Sequence, residues 1–82
     1  MSDFADIKTK RILRLTKWLA KNKDVTISDG GRHNTKVTVI HTAQSYPLAT
    51  SHSVMNKHIV KDFMEWLVKN EVCTEQEFRD QL

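Results

Sequence analysis

Thr35-Lys36-Val37-Thr38-Val39-Ile40-His41-Thr42 decides the class of fold, because the stretch is rich in β-branched residues and holds neither glycine nor proline. It predicts a strand over 35–42, with Val37 and Val39 on one face and Lys36 and Thr38 on the other. Upstream, Val25-Thr26-Ile27-Ser28 is a shorter β-branched run that ends at Asp29-Gly30-Gly31. Both glycines of the chain stand there, and a tight turn between two strands is predicted. Past Ala43-Gln44-Ser45, residues 46–51 read as a third strand, and Pro47 makes it an edge or a strand start.

Helices flank these strands. Over residues 4–22 the apolar Ile12, Leu15, Trp18 and Leu19 recur at three and four, with Asp3 or Asp6 available as a cap. Lys10, Arg14, Lys17 and Lys21 follow the same spacing on another side, so the helix is amphipathic with a basic stripe. Asn56 is expected to cap a second helix reaching about residue 70, in which Ile59, Phe63 and Leu67 repeat at four and Val60, Met64 and Trp66 widen the buried stripe. Thr74-Glu75-Gln76-Glu77 has the form of a capping box, with Cys73 and Phe78 placed as a hydrophobic staple, and opens a short last helix. The fold expected is α+β, an α-β-β-β-α sandwich with two long helices on one face of a three-stranded antiparallel sheet.

Eighty-two residues form one domain over 1–82. Leu, Ile, Val and Phe make up 21 of them, enough for a core but not for a deep enclosed cavity. Cys73 is the only cysteine, which excludes an intrachain disulfide framework and fits a reducing compartment. No apolar run is long enough for a membrane span, and the acidic opening is unlike a signal peptide, so a cytoplasmic protein is expected.

Charge is unevenly spread. Residues 1–36 carry nine Lys or Arg against four Asp, whereas residues 37–82 carry four against six acids. The stripe on the first helix attracts a polyanion, although the same charges alone also describe a solvated face. Beside it in the sequence stands Gly30-Gly31-Arg32-His33. Amides of a glycine turn approach phosphate closely, Arg32 can clamp it, and an imidazole moves a proton near neutral pH. Those are the parts for cleaving RNA, whose 2′-OH is a built-in nucleophile, without metal or cofactor. Taken singly, His33 also reads as an ordinary polar turn residue. His41, His52 and His58 complete no zinc-ligand spacing. His41 and His58 have surface positions, whereas His52, just ahead of the second helix, can approach a nucleic acid. Trp18 and Trp66 read as core, which leaves Tyr46 as the exposed stacking candidate.

The basic first helix, the Gly30-Gly31-Arg32-His33 turn before a strand, His52 ahead of the second helix, and the run 59–67 before Thr74-Glu75-x-Glu77-Phe78 together resemble the HicA family over about residues 7–78. The family is the toxin half of bacterial toxin–antitoxin pairs. The resemblance implies a fold similar to double-stranded-RNA-binding domains, messenger-RNA endoribonuclease activity with His33 in the catalytic place, and a HicB-type antitoxin as partner. A monomer when free and a hetero-oligomer with the antitoxin are expected. Gly30, Gly31, Arg32, Arg14, Lys17, Lys21, Lys36 and His52 are the phosphate-binding candidates. The chain departs from the family pattern where Arg32 intervenes between the glycines and His33, and where Thr50 stands in place of a proline.

Overall fold

The computed structural model describes residues 5–29 and 34–82. In chain order they form β1 (Ile7–Lys8), α1 (Thr9–Leu19), β2 (Val25–Asp29), β3 (Thr35–Val39), β4 (Gln44–Leu48), β5 (Val54–Met55), α2 (Lys57–Lys69) and α3 (Glu75–Gln81). The central sheet is antiparallel with order β2-β3-β4, and β1 pairs with β5 in a separate two-residue ladder. The class is therefore α+β, with three helices and a three-stranded sheet.

Alternation along β3 works as the sequence predicts. Val37 and Val39 are buried, and the register sets Ile27 and Tyr46 on either side of Val37. Thr26, Ser28, Lys36 and Ser45 point the other way and are exposed. A single apolar cluster joins Ile12, Leu15 and Leu19 of α1, Val25, Val37 and Leu48 of the sheet, and Val60, Phe63, Met64 and Leu67 of α2. α3 packs against both α1 and α2 and adds Phe78, whose ring meets Phe63 edge-on at 6.0 Å.

Several boundaries differ from expectation, each for an identifiable cause. α1 starts at Thr9, because Ile7 and Lys8 are extended and paired with Met55 and Val54. It ends at Leu19, where Lys21 and Asn22 donate to carbonyls three residues back and tighten the last turn. Asp6 does not cap α1; its Oδ1 accepts from the Lys57 amide at 2.9 Å and so caps α2, beside Asn56, which accepts from the His58 amide. Asp3 lies outside the described residues.

β3 stops at Val39, not at residue 42. The Ala43 amide closes a turn on the Ile40 carbonyl at 3.2 Å, with Ala43 in the left-handed region at φ 55°. β4 consequently begins at Gln44 and is finished by Leu48, earlier than the predicted 46–51. Pro47 sits on an edge strand, where its missing N–H breaks no ladder bond.

α2 runs from its Asn56 cap to Asn70 as the sequence indicates. Ile59 is the exception: at 40% exposed it lies beside the buried arc of Val60, Phe63, Met64 and Leu67. The capping box at Thr74 is complete, with Thr74 Oγ1 accepting from the Glu77 amide and the Glu77 carboxylate accepting from the Thr74 amide. Cys73 and Phe78 are both buried beside it.

Candidate nucleic-acid interface

The amphipathic order of α1 fixes where its charges go. Burial of Thr9, Ile12, Leu15, Thr16 and Leu19 turns one side to the core, and Lys10, Arg11, Arg14 and Lys17 are exposed on the other. Lys21 is exposed in the turn after the helix. Arg14 leans toward the end of the chain, its Nη2 lying 3.5 Å from the Leu82 carbonyl oxygen. Lys36 stands apart from this stripe, on the face of the sheet turned away from the core, opposite Ser28 and Pro47 in register.

His52 is brought to the start of α1 by contacts between segments far apart in sequence. The Thr9 hydroxyl donates to the His52 carbonyl, and the Thr9 amide donates to the Ser53 carbonyl at 2.9 Å. Its side chain is exposed there. Gly30, Gly31, Arg32 and His33 lie outside the described residues.

The residues that flank them, Asp29 and Asn34, both line a groove of about 690 Å³. α1 contributes Leu13, Thr16 and Lys17 to it, and β2 contributes Ile27 and Ser28 with Asp29. Thr35 and Thr50 line its far side, and their hydroxyl oxygens are 3.2 Å apart. Leu13 is 36% exposed and Ile27 partly buried, so an apolar stretch is bordered by hydroxyl, amide and charged groups. Such a mixed lining suits a ligand with a flat apolar body and polar edges.

At the opposite end of β3, the structure pairs two residues that sequence reading leaves separate. Asp24 Oδ1 accepts from the His41 amide at 2.9 Å, and its Oδ2 meets His41 Nδ1. The Ile40 amide also bonds the Asp24 carbonyl. An imidazole held at Nδ1 by a carboxylate keeps Nε2 for other partners, which is the arrangement of a proton-transfer pair. Here the same carboxylate also binds the main chain, so the pair fastens the β3–β4 turn to the loop after α1. His58 is exposed in the first turn of α2.

Tyr46 is not the free stacking residue expected. The register places it on the core side of β4, tilted against Phe63 and Trp66 at 5.2 and 5.4 Å. Its hydroxyl donates to Asp62 Oδ2 at 2.7 Å, and burial, then that bond and the Asp62 charge, raise its pKa. Trp18 and Trp66 are partly buried against the core, as their stripes predict. Burial, reinforced by Glu77, pushes the Cys73 thiol up to about 11, which keeps it protonated and unreactive at neutral pH.

Among the described residues, no three His, Cys, Asp or Glu side chains come together to hold a metal ion. No helix among them is long and apolar enough to cross a membrane. No protein-family model, curated protein or solved structure matches the chain.

Proposed function

We propose that the chain is the toxin of a toxin–antitoxin pair, an endoribonuclease of the HicA kind that cleaves messenger RNA in the cytoplasm without a metal. The observation that carries this reading is the groove, in which Asp29 and Asn34, the neighbours of the 30–33 turn, meet Lys17 of the basic helix. His33 immediately precedes Asn34 in the sequence, which supports reading it as a general base working beside Lys17. The finer architecture proposed is the sandwich of the resemblance, with both long helices on one face of the sheet; their shared apolar cluster supports it.

In the proposed reaction His33 takes the proton of a 2′-OH, and the resulting oxygen attacks the adjacent phosphorus. The P–O2′ bond forms as the P–O5′ bond breaks. The departing 5′ oxygen takes a proton from water and His33 returns its proton to solvent, leaving a 2′,3′-cyclic phosphate and a 5′-hydroxyl. Arg32, the amides of Gly30 and Gly31, and Lys17 steady the charge that builds on the phosphoryl oxygens. Lys10, Arg14, Lys21, Lys36 and His52 are assigned to the flanking strand. A HicB-type antitoxin would place carboxylates against the α1 stripe and cover the groove.

The test is cleavage of RNA by the purified chain in the presence of a chelator, alongside a substrate with 2′-deoxyribose at the scissile position. Product from the first and none from the second is expected. Loss of activity to the chelator, or cleavage of the deoxy substrate, overturns the mechanism. Salt-sensitive binding without product makes the chain a non-catalytic RNA-binding module.

A further inference from the structure

We propose that the groove between α1 and β2 seats an unpaired nucleobase, which makes single-stranded RNA the substrate class; the inference rests on the endoribonuclease reading above. Leu13 and Ile27 offer aliphatic surface for the face of a ring. Asn34, exposed at the groove, offers an amide that can donate to or accept from the edge of a base. Lys17 lines the same groove and meets the negative charge of the strand to which that base belongs.

Size and geometry favour this occupant. About 690 Å³ leaves room for a base together with its sugar and phosphate. Bases inside a duplex are stacked face to face and cannot present a ring to a side wall, whereas bases of a single strand can be splayed out into one. Burial of Thr16 beneath the groove holds this part of α1 in place, and its hydroxyl donates within the helix to the Leu13 carbonyl at 2.6 Å. The wall formed by Leu13 is thus anchored, although the Leu13 side chain is itself accessible.

The experiment measures affinity, in low salt and deoxy-substituted form to prevent turnover, for three labelled probes: a ten-nucleotide single strand of mixed sequence, its blunt duplex, and the same strand built with abasic sites. The single strand should bind about tenfold more tightly than the abasic strand, and more tightly than the duplex. Leu13→Ser should weaken single-strand binding about fivefold and leave abasic binding unchanged. Lys17→Glu should weaken both. A duplex or abasic strand bound as tightly as the single strand, with Lys17→Glu still harmful, overturns the base site and leaves the nuclease reading standing. RNA affinity indifferent to Lys17→Glu overturns both. Unchanged RNA affinity in Leu13→Ser, with loss of binding to a HicB-type antitoxin, assigns the groove to a protein instead.

Discussion

Where β3 hands over to β4, Asp24 binds both the main chain and the ring of His41, Thr42 donates to Asn70 at 2.8 Å, and Ala43 closes the turn at positive φ. At the other end of the same strand, Asp29 and Asn34 border an open groove whose walls are Leu13, Lys17 and Ile27. The sheet is fastened at one end and offers a surface at the other. The fastened end holds His41, whose Nδ1 and amide are both spent on one carboxylate; His33 precedes Asn34 in the sequence and lies outside the described residues.

The largest effect expected from this contrast is on turnover. His33→Ala should lower RNA cleavage about a hundredfold or more, whereas His41→Ala should leave it within about twofold, measured under single-turnover conditions. The reverse result would exchange the roles of the two ends. Charge reversal sharpens the same contrast, since Lys17 lines the groove and Lys21 lies in the turn that leads to Asp24. Lys17→Glu should weaken RNA binding in low salt by about tenfold, and Lys21→Glu by clearly less; equal losses would show that the strand follows the whole stripe.

Stability should respond in the opposite sense. Asp24→Ala removes the acceptor of the His41 amide and should cost about 1 kcal/mol, as the loss of a helix cap does. For a chain of this size that is a fall in Tm of about 4–8 °C, with cleavage unchanged. A drop in cleavage larger than the unfolded fraction explains would move Asp24 and His41 into the reactive site. The smallest effect belongs to Ala43→Gly, which relieves a left-handed residue and should raise stability by about 0.5–1 kcal/mol in chemical denaturation. A loss instead would mean that Ala43 contributes packing that outweighs its backbone strain.

What could be read from the sequence divides along the range of the interaction responsible. The Asn56 cap and the Thr74 capping box depend on residues within three positions, and both are formed where the residues predict them. The Val37 and Val39 face follows from alternation alone. The β3–β4 turn was not legible, because the carboxylate that fixes it comes from Asp24, 17 residues upstream of His41. Tyr46, expected to be exposed because the two tryptophans read as core, is partly buried, since β4 pairs it with Val37 on the core side of the sheet. Ile59 fits the helical period of α2, but period does not say which flank of a wide stripe a neighbour covers. For the candidate site, the basic side of α1 was readable from spacing, while the groove was not, since it exists only once α1 docks beside Ile27 and Thr35. The separation of Lys36 from that stripe has the same origin: strand alternation shows two faces, and only packing tells which one is open.

The contacts of residues 6–9 with residues 52–57 have a consequence for how the chain opens. Asp6 holds the Lys57 amide while Thr9 holds the carbonyls of His52 and Ser53, so each segment secures the start of a helix on the other. Together with the β1–β5 ladder they close a span in which Asp6 and Lys57 are 51 positions apart. This clasp involves few residues compared with the apolar cluster that joins α1 to α2, so it is expected to open before that cluster does. The amides of Thr9 and Lys57 should then exchange with solvent deuterium together, at a lower opening free energy than the amides of the α2 interior. The segment carrying His52 should be released in the same step, so Asp6→Ala is expected to speed exchange at residues 52–57, only one of which the aspartate bonds.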